Sequence, residues 1–200
     1  MGICRALLQL KCKGKIDMKK TILTFGLISG AISSLMMVAT VPFAHRIGYN
    51  KALVVGYTTM VLSFLLVFFG IRSYRDNAGN GQITFSKAFA VGICITLISC
   101  IFYVVTWEII YFNFMHDFMD EYGAHMIEKL KASGASIAAI QAQLQQQEKF
   151  KELYENPFFN AAMTFIEPFP VGLVITLVSA AVLRRKPQSQ PAQSPLPASS

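Results

Sequence analysis

Apolar positions in this chain come in long blocks rather than in alternation. Four blocks run for about twenty residues or more: Ile22–Phe43, Ala52–Ile71, Ala88–Phe112 and Phe158–Leu183. At 1.5 Å per residue, about 20 apolar residues match the roughly 30 Å hydrocarbon core of a bilayer. Each block predicts one membrane-spanning helix, because a span must satisfy its backbone hydrogen bonds internally. The fold class expected is all-α: an integral membrane four-helix bundle, with an extracytoplasmic helical hairpin between spans three and four.

The polar segments divide the rest. Residues 113–157 form the sizeable extramembrane part. Asn113 to Ala132 reads as helix continuing the third span, Ser133-Gly134-Ala135 as a stop, and Ser136 as the N-cap of a second helix. Ile137, Ile140, Leu144 and Leu153 give that helix a weak apolar stripe, Gln141, Gln143 and Gln145–Gln147 a solvated face, and Asn156-Pro157 an end. Arg72 to Gly81 reads as a polar turn before the third span, with Thr84 or Ser86 as its cap. The fourth block holds Pro168 and Pro170. Too few apolar residues follow them to cross alone, so the helix is expected to continue through them with a kink, freeing carbonyls near Thr164 and Ile166. The resulting organisation is an arm at 1–18, a membrane domain at 19–186 and a disordered tail at 187–200. The tail, Pro187–Ser200, has four prolines, four serines and no charge.

Composition agrees with a membrane protein: 54% hydrophobic and only 14% charged. The net charge of +7 invites a nucleic-acid partner, but its placement argues for topology instead. Arg5, Lys11, Lys13, Lys15, Lys19, Lys20, Arg72, Arg75, Lys87, Arg184, Arg185 and Lys186 flank one side of the spans. That leaves six of the 18 basic residues for the other side, four of them in the long segment with seven acids. By the positive-inside rule both termini are expected to be cytoplasmic. Met18-Lys19-Lys20 before an apolar run resembles a signal peptide, yet the run exceeds the 7–15 residues of an h-region. It is read as a retained span, with Met18 as an alternative start.

Small residues mark the helix faces. Gly26 and Gly30, extended by Ser34, lie on one face of the first span; Gly56, Thr59, Ser63 and Gly70 on the second; Ala88, Gly92, Thr96 and Ser99 on the third. Such stripes let backbones approach where lipid supplies no hydrophobic drive. Packing within one chain is the reading favoured, with a homo-oligomer through Gly26 and Gly30 as the alternative.

Glu108 and Glu167 are the chemical anomalies. A charge in hydrocarbon costs roughly 2.5–3.5 kcal/mol on insertion scales, so it needs a partner, a proton or a water-filled cavity. Helix rise places Glu108 ~30 Å from Ala88 and Glu167 ~24 Å from Leu183, both towards the outer leaflet. His45 and Arg46 end the first span there, and Tyr111 lies beside Glu108. These five define a candidate intramembrane polar site. Glu108 is about 160° around its helix from Gly92, so it faces a different neighbour from the small-residue stripe.

No P-loop, GxSxG, HExxH or Gly-rich dinucleotide loop is present. No catalytic residue, cofactor or metal is expected: His116, Asp117, Asp120 and Glu121 could share a helical turn but have no second ligand set. Cys4, Cys12, Cys94 and Cys100 fall in the cytoplasmic arm or the third span and imply no disulfide.

Gly26-Leu-Ile-Ser-Gly30 after a Lys-rich start, Gly70-Ile-Arg72-Ser-Tyr-Arg75, Gly81-Gln-Ile-Thr-Phe-Ser-Lys-Ala88, Trp107-Glu108, Tyr111, Asn156-Pro157, Gly172 and Leu183-Arg-Arg-Lys186 occur in this order. The pattern resembles the domain of unknown function 4199 family from about Lys19 to Lys186. The resemblance implies a four-span bacterial inner-membrane protein and no assigned activity. The function expected is that of a non-enzymatic structural or regulatory partner in the lipid bilayer, with the hairpin as contact surface. The alternative is a small oligomeric transporter or proton-linked carrier using Glu108 and Glu167.

Overall fold

The computed structural model describes residues 18–41, 48–115 and 117–185. The expectations placed on residues 1–17, His45, Arg46, His116, Lys186 and the tail at 187–200 lie outside the described residues. Seven helices follow one another: α1 (Met18–Thr40), α2 (Tyr49–Ala78), α3 (Phe85–Phe114), α4 (Phe118–Ala132), α5 (Ile137–Tyr154), α6 (Pro157–Ile166) and α7 (Pro168–Leu183). α1, α2, α3 and the α6–α7 pair are each long and apolar enough to cross a membrane. Only 22–39% of the most apolar stretch of each is buried inside the protein. The apolar remainder faces outward, as a lipid-immersed bundle requires, with Leu35, Val54 and Val182 among the most exposed.

α2 and α3 form the centre of the bundle. α1 packs on both, and α7 packs on both from the opposite side. Backbone approach is set where the sequence has its small residues. A Cβ on Gly26 would stand 2.9 Å from Ile98, and one on Gly30 would stand 2.7 Å from the Cβ of Phe102. Both glycines of the first span are therefore covered by α3 of the same chain. Gly92 lies against Thr176, Ile71 and Val67, and Gly172 against Thr96 and Phe64.

Small hydroxyls tie the close helices together. Ser29 donates to the Ser63 carbonyl at 2.9 Å, Ser99 to the Gly26 carbonyl at 3.3 Å, and Thr96 shares a 3.0 Å bond with Thr176. In hydrocarbon these bonds have no water to compete with, although each is worth only about 0.6 kcal/mol on average.

Gly56 departs from the packing expected of it. Nothing lies within 4 Å of the position its Cβ would take. The cause is the fourth span, whose N-terminal part, α6, packs chiefly on α3 and α5 rather than on α2. The N-terminal half of α2 thus borders open space among the described residues.

Two helix boundaries also differ from the sequence reading. α2 continues beyond the apolar block to Ala78, so the expected turn begins late. Arg72 and Arg75 pair with Asp76 at 3.7 and 2.7 Å and let the polar turn stay helical. The chain then reverses at Asn80 (φ 49°) and Gly81 (φ 79°). α4 does not continue α3: Met115 leaves the helical region (φ −135°, ψ 51°). Phe118 and Met119 turn back onto Trp107 and its neighbours instead.

α4 and α5 form an antiparallel pair. Gly134 (φ 75°) makes the turn, and Ser136 accepts from the Ala139 N–H at 3.2 Å as N-cap. Gln147 lies directly against Gly123 and donates to the Met119 carbonyl at 3.3 Å. The Lys151 ammonium pairs with Asp120 at 2.6 Å, and the carboxylate raises the Lys151 pKa above its ordinary value. Asn156 then caps α6, accepting from Phe158 and Phe159.

At the opposite end, Ile83 and Arg185 exchange backbone hydrogen bonds of 3.2 and 2.9 Å. This bridge fastens the turn after α2 to the end of α7. It gathers Arg72, Arg75 and Arg185 around Asp76.

Candidate functional site

The proline pair breaks the fourth span at Glu167, which ends α6 and precedes α7. Pro168 and Pro170 lack the N–H groups that would bond to Thr164 and Ile166. Glu167 is half-buried at this break, and its side chain turns into the bundle. The Tyr103 hydroxyl donates to its Oε2 at 3.2 Å, and the Tyr57 hydroxyl hydrogen-bonds to it from α2.

Glu167 borders a cavity of about 640 Å³. α1 contributes Ser33, Met36, Met37 and Thr40; α2 contributes Leu53, Gly56, Tyr57 and Met60; α3 contributes Tyr103 and Trp107. The hairpin roofs it with Phe118, Met119, Tyr122, His125, Met126 and Lys129 from α4, and Phe150 and Tyr154 from α5. Met163 and Thr164 complete the wall beside Glu167. Six of the chain's nine methionines are in this lining. Methionine is flexible and polarisable, so it makes a pliable apolar wall.

A second polar chain joins the hairpin to the fourth span. Trp107 Nε1 donates to the Tyr154 hydroxyl at 3.0 Å, and Thr164 meets the same hydroxyl. Thr164 donates to Asn160 Oδ1 at 3.2 Å, and Asn160 Nδ2 donates to the Tyr154 carbonyl at 3.2 Å. Asn160 is fully buried, so these bonds replace water it cannot reach. Burial raises the Tyr154 pKa above its ordinary value, which keeps the phenol neutral and able to donate. Around this chain, Tyr111 meets Tyr154 edge-to-face at 5.2 Å and Phe118 meets Trp107 at 5.1 Å.

The residues expected in one polar site are thus distributed. Glu167 is on the cavity wall. Tyr111 is buried in the aromatic cluster and does not touch Glu167. Glu108 points elsewhere, with its Oε1 buried and unpartnered among the described residues. His45 and Arg46 lie outside the described residues. Tyr57, Tyr103, Asn160 and Tyr154 were not anticipated as site residues. Asn160, Thr164 and Glu167 stand at i, i+4 and i+7, one helix face, and that spacing was the readable signal.

Among the described residues, no three His, Cys, Asp or Glu side chains come together to hold a metal ion. Cys100 is buried in the core and Cys94 is partly buried; both thiols are free.

The fold and cavity define a small multi-pass α-helical membrane protein with a partly polar chamber beneath a helical hairpin. The family model of a protein of unknown function, DUF4199, matches residues 24–185, and the chain belongs to that family. No curated protein and no solved structure shows significant similarity to it.

Proposed function

We propose that this is a non-enzymatic binding protein of the bacterial inner membrane, acting as a structural or regulatory partner, whose cavity takes a small, largely apolar molecule. The observation that carries this reading is the cavity itself: about 640 Å³, walled by methionine and aromatic side chains, with a single carboxylate at its polar end. Small-molecule sites commonly occupy about 300–1,000 Å³ with such an apolar lining and few polar groups. The hairpin would face the extracytoplasmic side and couple occupancy to a membrane-protein partner, because it forms the roof.

Twelve basic residues on one side of the spans support cytoplasmic termini. Reporter fusions test this orientation. Fusions after Met18, Asp76 and Pro187 should be active in the cytoplasm, and one near Gly134 should be exposed outside. A cytoplasmic Gly134 would refute both the topology and the role given to the hairpin.

A proton-linked carrier is the second reading. The helix broken at Glu167 inside the bilayer favours it, since broken spans recur at transport sites. Four spans are few, so a carrier would work as an oligomer. A deletion strain rescued by the chain separates the two readings. A carrier's rescue should depend on pH and lose that dependence in Glu167→Gln, whereas a partner protein's rescue should not depend on pH in the parent or in the variant.

A further inference from the structure

We propose that the cavity selects an organic cation: a small amphiphile with an apolar or aromatic body and one ammonium-type head, the head pairing with Glu167. This rests on the reading of the cavity as a binding site and names the ligand class it takes.

Three observations converge on a cation. First, Glu167 is the acid among the described residues lining the cavity, and no basic side chain among them pairs with it. Its carboxylate has about four lone-pair positions. The Tyr57 and Tyr103 hydroxyls engage it without supplying a positive charge. A half-buried carboxylate whose partners among the described residues are neutral donors still gains from a cation, and charge-assisted hydrogen bonds are roughly twice as strong as neutral ones.

Second, the groups around the acid are aromatic. Tyr103 and Trp107 stand at i and i+4 on α3, so their rings project over the same stretch of the cavity. Tyr57 approaches from α2. Ring faces attract cations, Trp and Tyr more than Phe, and the effect grows when the head group is desolvated.

Third, the basic side chains of the described lining, His125 and Lys129, both belong to the hairpin helix α4, whereas Glu167 stands at the break in the fourth span. Among the described lining residues, those of the spans thus include one acid and no base. An anionic amphiphile would meet Glu167 head-on. A neutral one would leave the carboxylate without a countercharge.

The open space beside Gly56 fits the body of such a ligand, because no side chain of the described residues fills it. The net charge of +7 works against accumulation of cations on the protein at large. Selectivity for a cation must then come from a local site.

Trp107 is the single tryptophan and lies in the wall, so its fluorescence reports occupancy directly. The full-length protein is placed in nanodiscs of zwitterionic lipid and titrated with three bromine-bearing quenchers of similar size. These are 4-bromobenzyltrimethylammonium, 4-bromobenzyl alcohol and 4-bromobenzoate. The ammonium should quench saturably and bind at least about tenfold more tightly than the alcohol, as ion pairing with the carboxylate and cation–π contact with the surrounding rings predict. The benzoate should be the weakest. Unbrominated benzyltrimethylammonium should reverse the quenching.

In Glu167→Gln the ammonium should lose most of its preference over the alcohol, keeping only what the rings supply, while the alcohol itself binds unchanged. If ammonium and alcohol bind alike in the parent, or the preference survives Glu167→Gln undiminished, the cation inference fails and the cavity reading stands. If none of the three quenches saturably, both fail. Should Glu167→Gln not fold, the parent's ranking of the three probes decides alone.

Discussion

Gly92→Leu should destabilise the bundle by about 3 kcal/mol or more, at the upper end of what overpacking a tight core costs. The reason is that three neighbours meet at this position. A Cβ on Gly92 would stand 2.8 Å from Thr176 of α7 and 2.9 and 3.3 Å from Ile71 and Val67 of α2. None can retreat cheaply: Thr176, Ile71 and Val67 are themselves fully buried. Leucine would force α2 and α7 away from α3 together and pull Thr96 from its hydrogen bond with Thr176. Gly56→Leu is the control on the same scale. It adds the same side chain in a span, but into open space, and should leave unfolding in detergent close to that of the parent. Equal melting of the parent and the Gly92→Leu protein would show that small residues do not set the helix spacing.

That contrast marks where the sequence was legible. The number of spans follows from four apolar blocks, because lipid leaves the backbone no alternative to helix. Stripes of small residues were visible as periodicities, and at Gly26, Gly30 and Gly92 they lie at close helix approaches. Gly56 carries the same signal and lies at none. Its environment depends on how far α6 leans away from α2, a property of the proline break and of the hairpin above it, both remote in sequence.

The site was legible only in part, for a related reason. Glu167 announced itself through its charge and its prolines. Its partners Tyr57 and Tyr103 are ordinary aromatic residues in apolar runs, and nothing in either span distinguishes them from lipid-facing tyrosines. They become site residues when two spans bring them to one carboxylate. Glu108 gave an equally strong signal, yet α3 turns it away from the cavity that Tyr103 and Trp107 line. A periodicity argument separated it from the small-residue stripe but could not supply the neighbour it meets.

Asn160→Leu is expected to loosen the hairpin from the bundle. Asn160 is fully buried and makes two bonds in opposite directions, donating to the Tyr154 carbonyl and accepting from the Thr164 hydroxyl. Leucine keeps the branching at Cγ but is bulkier, and it leaves both partners without their hydrogen bond. An unsatisfied buried polar group costs about 1–3 kcal/mol, and here the Tyr154 carbonyl terminates α5 where it joins α6. The total loss should be about 2–3 kcal/mol, because Thr164 can turn back to a carbonyl of its own helix. The loss should be local. Amide exchange should quicken in α4 and α5, and Trp107 emission should shift to the red as its Tyr154 partner moves and water enters beneath the roof. α1, α2, α3 and α7 should keep their protection, since their contacts with one another do not run through α6. Thr164→Val removes one hydroxyl at nearly constant shape and should show the same pattern more weakly. Unchanged hairpin exchange and Trp107 emission in Asn160→Leu would mean that the aromatic cluster alone seats the hairpin. The roof of the cavity would then be independent of the polar face that Asn160, Thr164 and Glu167 share.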